Sequence, residues 1–337
     1  MKGWLKISKK DLFLRNAQNS IFWGNKSGPE GVKVFRRICV FIACFAILEA
    51  CLSEEMPQWT EQTEYLYGMF ITGIDGKPLP PSPLDSSVIR NGIRMEIING
   101  MPYPDRFVLL AVLNGHIQPF YIDDVRYDYC ISDIGANAHA IITATFQELY
   151  LADTGVHYLH ILCVGLLDKL PADEHDPVAD YSISITLPFA TDEEANTSID
   201  FMQPDAPLPK KIVDENTDHY CRLNFLDRIE EDGIYYPDFV QEISGGEAEF
   251  TLIAAGDFQL MQAIIFYDDK PCIGSDGALP CFWVTEENGC KWEYTLQADT
   301  DGPHQTFAIA LPLFDKSGLI SATPKIRFDH IERESDE

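Results

Sequence analysis

Two short acidic runs hold the densest set of metal-ligand types in this sequence: Asp173-Glu174-His175-Asp176 and Asp299-Thr300-Asp301-Gly302. Calcium takes six to eight oxygen ligands, and an EF-hand loop closes on a Glu at its twelfth position. Counted from Asp299, that position is Ala310, so an EF-hand is not formed. Asp173, Asp176, Asp299 and Asp301 are therefore candidate Ca2+ ligands only in company with residues distant in sequence. Acidic runs of this kind are ordinarily solvated loops.

Other reactive residue types lack the spacing their chemistry needs. The eight histidines make no His-Glu-x-x-His pair. His157 and His160, three apart in an expected strand, point to opposite faces. Gly274-Ser275-Asp276-Gly277 is not a Gly-x-Ser-x-Gly elbow, and no Gly-x-Gly-x-x-Gly or phosphate-binding loop occurs. Cys272, Cys281 and Cys290 are evenly spaced, but without a Cys-x-x-Cys pair they do not read as a zinc site. Aromatic residues offer a ligand-stacking alternative. Trp283 and Trp292 read as packing residues, while Tyr235 and Tyr236, just before Pro237, are the candidates for an exposed sugar platform. No catalytic residue is assigned, and the balance leans away from an enzyme.

Charge narrows the partners. Residues 1–51 carry nine Lys or Arg against three Asp or Glu, leaving 16 basic and 50 acidic residues in the remainder. A domain pair with that balance repels nucleic acid and anionic lipid.

The elements that would position these residues are strands. Tyr181, Ile183, Ile185, Leu187 and Phe189 alternate with polar or small residues, as one face of a half-buried strand does. Phe107–Leu113 is a denser apolar run closed by Asn114-Gly115, a hairpin signal. Tyr158–Leu167 is another such run. Residues 190–218 are acidic, with Pro204, Pro207 and Pro209, and read as a linker. A second β-rich block begins at Cys221. The blocks match internally. Ala152-Asp153-Thr154-Gly155-Val156-His157, leading to Asp168, resembles Ala298 to His304, leading to Asp315. Phe107–Pro119 is set against Phe258–Pro271. The expected division is an N-terminal extension and signal at 1–51, a tether and Pro-rich lead-in at 52–92, domains at 93–190 and 219–332, and a linker at 191–218.

At the amino terminus Lys33, Arg36 and Arg37 precede the uninterrupted apolar run Ile38–Leu48. Eleven helical residues rise about 17 Å, too short to span a bilayer, and a basic then apolar segment of this size is the pattern of a secretory signal. The leader pattern begins at Val32, so translation from Val32 is one expectation. Leu48-Glu49-Ala50-Cys51 then resembles the lipobox of bacterial lipoproteins, with leucine at −3, a small residue at −1 and cysteine next; Glu49 departs from the pattern. The resemblance implies lipidation of Cys51 and anchoring on the membrane. Six further cysteines, Cys130, Cys163, Cys221, Cys272, Cys281 and Cys290, could form disulfides outside the cell.

The turn Asp153-Thr154-Gly155 ahead of an apolar strand resembles the corner before strand F of immunoglobulin-like domains. His157 stands where that family has a buried tyrosine, so the tyrosine corner is missing. What the resemblance implies is an all-β chain of two tandem immunoglobulin-like β-sandwich domains after a signal or anchor segment. The expected function is an exported lipoprotein on the outer face of the bacterial cell membrane, with a non-enzymatic binding or structural role. Its partners would be the membrane and an envelope protein or glycan, not nucleic acid. The alternative is a secreted module binding carbohydrate, or binding through Ca2+, accessory to an enzyme.

Overall fold

The computed structural model describes residues 67–202 except 81, 174–177 and 179–180, and residues 222–330 except 227, 231–232, 236–237, 244–246, 257–258, 274–276, 285–289, 298–301 and 315–319. The leader, Cys51 and Cys221 lie outside these.

Sandwich 1 runs β1 (Tyr67–Gly73), β2 (Leu84–Asp85), the helix α1 (Ser86–Asn91), β3 (Ile93–Asn99), β4 (Asp105–Leu113), β5 (His116–Ile117), β6 (Phe120–Ile122), β7 (Val125–Tyr127), β8 (Tyr129–Ile134), β9 (Ala138–Ala144), β10 (Gly155–Gly165) and β11 (Tyr181–Thr191). Sandwich 2 runs β12 (Arg222–Leu226), β13 (Arg228–Glu230), β14 (Gly233–Tyr235), β15 (Val240–Ile243), β16 (Glu247–Ala255), β17 (Gln259–Tyr267), β18 (Lys270–Pro271), β19 (Cys281–Val284), β20 (Cys290–Gln297), β21 (Gly302–Pro312), β22 (Ser321–Ala322) and β23 (Ile326–His330). The architecture is all-β, with two sandwich-like pairs of sheets. Among the described residues α1 is a single short exception, capped by Asp85, which accepts from the Ser87 amide, and closed at Gly92.

The two sandwiches repeat one topology. In the first, β1-β3-β9 faces β2-β11-β10-β4-β5, with β8 also on β4. In the second, β12-β16-β20 faces β15-β23-β21-β17-β18, with β19 also on β17. Both include one parallel pair, β2 with β11 and β15 with β23. Sandwich 1 starts ahead of Ile93: β1, inside the segment read as lead-in, pairs with β3 along its full length.

Asn114 and Gly115 have φ of 50° and 78°, as the Asn-Gly hairpin signal requires, and join β4 to β5. The later repeat match holds in register, because His157 faces Phe189 across β10–β11 and His304 faces Phe328 across β21–β23. The earlier match is corrected. Leu113 pairs with His116 and Tyr267 with Lys270, so Pro271 corresponds to Ile117, not to Pro119. In this register Phe107 of β4 corresponds to Met261 of β17.

Each sandwich has its own core. Ile93, Met95, Ile97, Leu109, Ala111, Leu159 and Ile161 fill the first, and Leu252, Ala254, Ala263, Phe282, Ala308 and Phe328 the second. A third core lies between the sandwiches. Val108, Leu110, Val112, Leu162 and Val164, from the far faces of β4 and β10, pack on Ile264, Phe266, Phe307, Ile309 and Leu311 of β17 and β21. Strands buried on both faces need apolar residues at successive positions, and this explains the unbroken runs. β3, whose second face is half-buried, alternates strictly in burial instead, although Ile98 follows Ile97.

Candidate functional site

Where the sandwiches meet, the hairpin Gly115–His116, the crossover 196–200 and the segment Ala278–Cys281 enclose a cleft of about 340 Å3, with Tyr150 on its wall. Backbone bonds knit its rim: Leu279 N–H donates to Gly115 O at 2.8 Å, Ile117 N–H to Gly277 O at 2.9 Å, and Met202 N–H to Cys281 O at 2.7 Å. Gly115 is forced by both conformation and space, since a Cβ there would lie 2.6 Å from Cys281 Sγ.

The histidine in this cleft has a defined tautomer. His116 Nδ1 is 3.0 Å from Asn114 O, which only accepts, so Nδ1 carries the proton. Nε2 then accepts from the Thr197 hydroxyl at 3.2 Å. This orients Thr197 and fastens the crossover, which Asn196 also anchors by donating to Leu149 O and accepting from Leu151 N–H, both at 2.8 Å. The cleft's thiol is not a nucleophile: burial, with Asp200 adding to it, pushes Cys281 up to about 12, so it stays protonated. Hydroxyl, imidazole and carbonyl thus form a chain that orients Thr197 and holds the crossover in place.

The repeat-matched histidines are buried. His157 Nδ1 accepts from Asn114 Nδ2 at 3.0 Å. Burial holds its pKa below the usual range, against the weaker pull of Asp153. His304 Nδ1 lies 3.0 Å from Asp268 Oδ2. His160 points to the opposite face, as its three-residue spacing predicts, and meets Thr186 Oγ1 at 3.0 Å.

A polar cluster closes the other side of the shared core. Lys325, fully buried, donates from Nζ to Leu166 O, Leu167 O and Lys169 O of sandwich 1. Gln305 donates to Leu167 O at 2.6 Å and to Asp269 Oδ1 at 3.0 Å. Arg106 bridges Asp133 at 2.8 Å, Asp168 at 3.1 Å and Asp269 at 3.7 Å. Burial raises the Asp269 pKa, with Asp168 adding to it and Arg106, Lys325 and Gln305 opposing. None of these residues belongs to a recognisable motif, and Lys325 reads in sequence as an ordinary surface lysine.

Of the residues singled out from sequence, Asp173 is exposed in the loop after β10. Asp176, Asp299, Asp301 and Tyr236 lie outside the described residues, and Tyr235 ends β14. Among the described residues no group of three or more His, Cys, Asp and Glu is placed to hold a metal. Of the expected disulfide set, Cys130, Cys163, Cys272 and Cys281 are free thiols, and Cys290 Sγ donates to Trp283 O at 3.4 Å. Cys163 is buried in the first core, as its apolar surroundings predict.

No protein-family model matches this chain, and no curated protein matches it in sequence. Among solved structures it is similar to the Salmonella enterica SafA pilin in complex with the SafB chaperone, at 11% identity over 79% of this chain and 98% of that one, with a TM-score of 0.24. The Pseudomonas aeruginosa CupB2 chaperone matches at 8% identity, over 72% and 95% of the two chains, with a TM-score of 0.22. CBD12 from CALX1.2 matches at 9%, over 71% and 93%, with a TM-score of 0.22. Similarity at these scores carries no argument about function, and the sandwich assignment rests on the strand pairing.

Proposed function

We propose that this chain is an exported bacterial surface lipoprotein, held on the outer face of the membrane through Cys51, whose paired sandwiches have a non-enzymatic binding or structural role. The observation that carries the second half is the shared core. Two sandwiches joined by buried faces of β4, β10, β17 and β21 behave as one block, able to present a fixed surface instead of flexing as beads on a string. The first half rests on Lys33, Arg36 and Arg37 before Ile38–Leu48 and on Leu48-Glu49-Ala50-Cys51. The acidic balance beyond residue 51 suits display among basic or neutral partners.

The test is the intact mass and membrane partitioning of the natively expressed protein beside a Cys51→Ala variant. The proposal expects a chain that begins at a diacylated Cys51 and partitions with membranes, and a variant without lipid. A native chain of unlipidated mass overturns the anchor.

A further inference from the structure

The role in binding proposed above leads to the surface that binds, and the inference here rests on that reading. β9 is an outer strand. It pairs with β3 from Ala138 to Ala144, and no other described strand pairs with it. Only beyond its end does Thr145 exchange backbone bonds with Tyr121. Exposed edges of this length are normally guarded by Lys, Pro, a bulge or brevity, because their free N–H and C=O groups accept another strand. β9 reads Ala-His-Ala-Ile-Ile-Thr-Ala, and its register with β3 is unbroken. None of the usual guards is present in it.

Sandwich 2 shows how the same position is guarded elsewhere in this chain. β20 stands beside β16 as β9 stands beside β3. It carries Lys291 and Glu293, which pair with each other at 3.0 Å. Its Trp292 and Tyr294 pack against the second core. β9 instead turns Ala138, Ala140 and Ile142 toward the first core, and these are only half-buried. Cys130, on the neighbouring β8, is half-buried as well. On the outer face Ile141 is 48% exposed and Phe70, two strands away in the same row, 50% exposed. Between them Glu96 is held by His139 at 3.2 Å. Small inward residues, a bare backbone and apolar outward neighbours coincide on this edge alone of the two compared.

We propose that the free edge of β9 receives an extended segment of another protein as an added strand. The segment's backbone bonds to the outward groups of Ala138–Thr143. Its inward apolar side chains fill the room left by Ala138 and Ala140, and its outward ones lie beside Ile141. Charge selects the partner. Asp123 and Asp124 are exposed at the tip of the adjoining β6–β7 hairpin, and the chain beyond residue 51 has 50 acidic against 16 basic residues. A second copy would bring the same charge to the edge, so the fitting partner has alternating apolar residues flanked by Lys or Arg.

The full chain is tested by fluorescence anisotropy with a synthetic peptide of alternating Val and Thr flanked by lysines. Two controls accompany it, one with N-methylated backbone at alternate residues and one with glutamate flanks. Both controls are expected to bind at least about tenfold more weakly, since they lose backbone bonds or charge attraction. Ala140→Trp, which copies the bulk of β20, and Ile141→Lys, a surface change, should each lower affinity by a similar factor while keeping the melting temperature. Hydrogen exchange should slow at 138–144 when peptide is added. Equal binding of the N-methylated peptide, unchanged affinity in both variants, or slowed exchange elsewhere overturns the proposal. So does concentration-dependent self-association lost in the same variants, which would make the occupant a second copy. Cys51→Ala leaves the peptide result intact, so a failure of the anchor and a failure of this edge are read separately.

Discussion

The ring of His157 stacks on Phe189 with centroids 5.4 Å apart and planes at 29°, and the second sandwich repeats the pair as His304 on Phe328 at 5.6 Å and 27°. Each imidazole also reaches the left-handed first residue of its neighbouring hairpin, Asn114 in one copy and Asp268 in the other. The Asn114 amide donates to His157 and favours a neutral ring, whereas the Asp268 carboxylate accepts from His304.

His157 therefore makes sandwich 1 sensitive to acid. Burial depresses its folded pKa below the usual 6.5, so the unfolded chain takes up the proton first as pH falls. The stability it contributes is full above about 6.5 and is lost as pH falls from there through the folded pKa. His157→Phe removes the titration and keeps an aromatic ring over Phe189. Urea midpoints of the two proteins should converge or cross between pH 7.5 and pH 5; parallel curves would remove His157 as the cause.

Lys325 is a costly polar group to remove. Its ammonium satisfies three carbonyls of the loop after β10, where Leu166 has a φ of 58°, and it partly offsets the half-buried Asp269. Lys325→Met keeps the stem but strands those acceptors and leaves Asp269 with less compensation. Such a loss costs about 3 kcal/mol. Chemical denaturation should show it, and an additional Asp269→Asn should return part of it. If the single variant is as stable as the parent, the ammonium is not what closes this side of the shared core.

Much of each sandwich was legible in advance, and for local reasons. Asn114-Gly115 specifies a hairpin because few residue pairs accept two left-handed positions. The His157 and His304 match survives because each stands third in its strand, opposite a phenylalanine of the neighbouring one. The runs at Phe107–Leu113 and Tyr158–Leu167 read as strands, but periodicity does not say what a doubly apolar strand packs against. Their second partner proved to be the other sandwich. The cleft and the Lys325 cluster left no signal, since His116 and Thr197 are joined only by folding, as are Lys325 and Leu166. The exposed edge of β9 is equally silent, because a strand's place at the rim of a sheet is decided by distant pairing.

Gly115 answers to two independent constraints, and a double variant separates them. Its φ of 78° disfavours any side chain, and a Cβ would meet Cys281 Sγ at 2.6 Å. Gly115→Ala should cost about 2–3 kcal/mol, combining backbone strain with the clash. Adding Cys281→Ala removes the sulfur, so the pair should be less unstable than the two single effects added. Strict additivity in a denaturation cycle would leave backbone strain as the whole cost.

The shared core makes a sharper claim, that the two sandwiches unfold together. Phe266 and Phe307 are fully buried at its centre, stacked at 4.6 Å with planes 4° apart. Both belong to sandwich 2, yet they pack among Val108, Leu110, Val112, Leu162 and Val164 of sandwich 1. Truncating either to alanine should cost about 3–5 kcal/mol by lost transfer energy and the cavity left behind. If the core couples the sandwiches, the parent melts in one calorimetric transition. Phe307→Ala then either lowers that transition as a whole or splits it, with sandwich 1 keeping the higher midpoint. A parent that already melts in two transitions, with only the one from sandwich 2 shifted by Phe307→Ala, would mean that the buried faces touch without holding the sandwiches as one block.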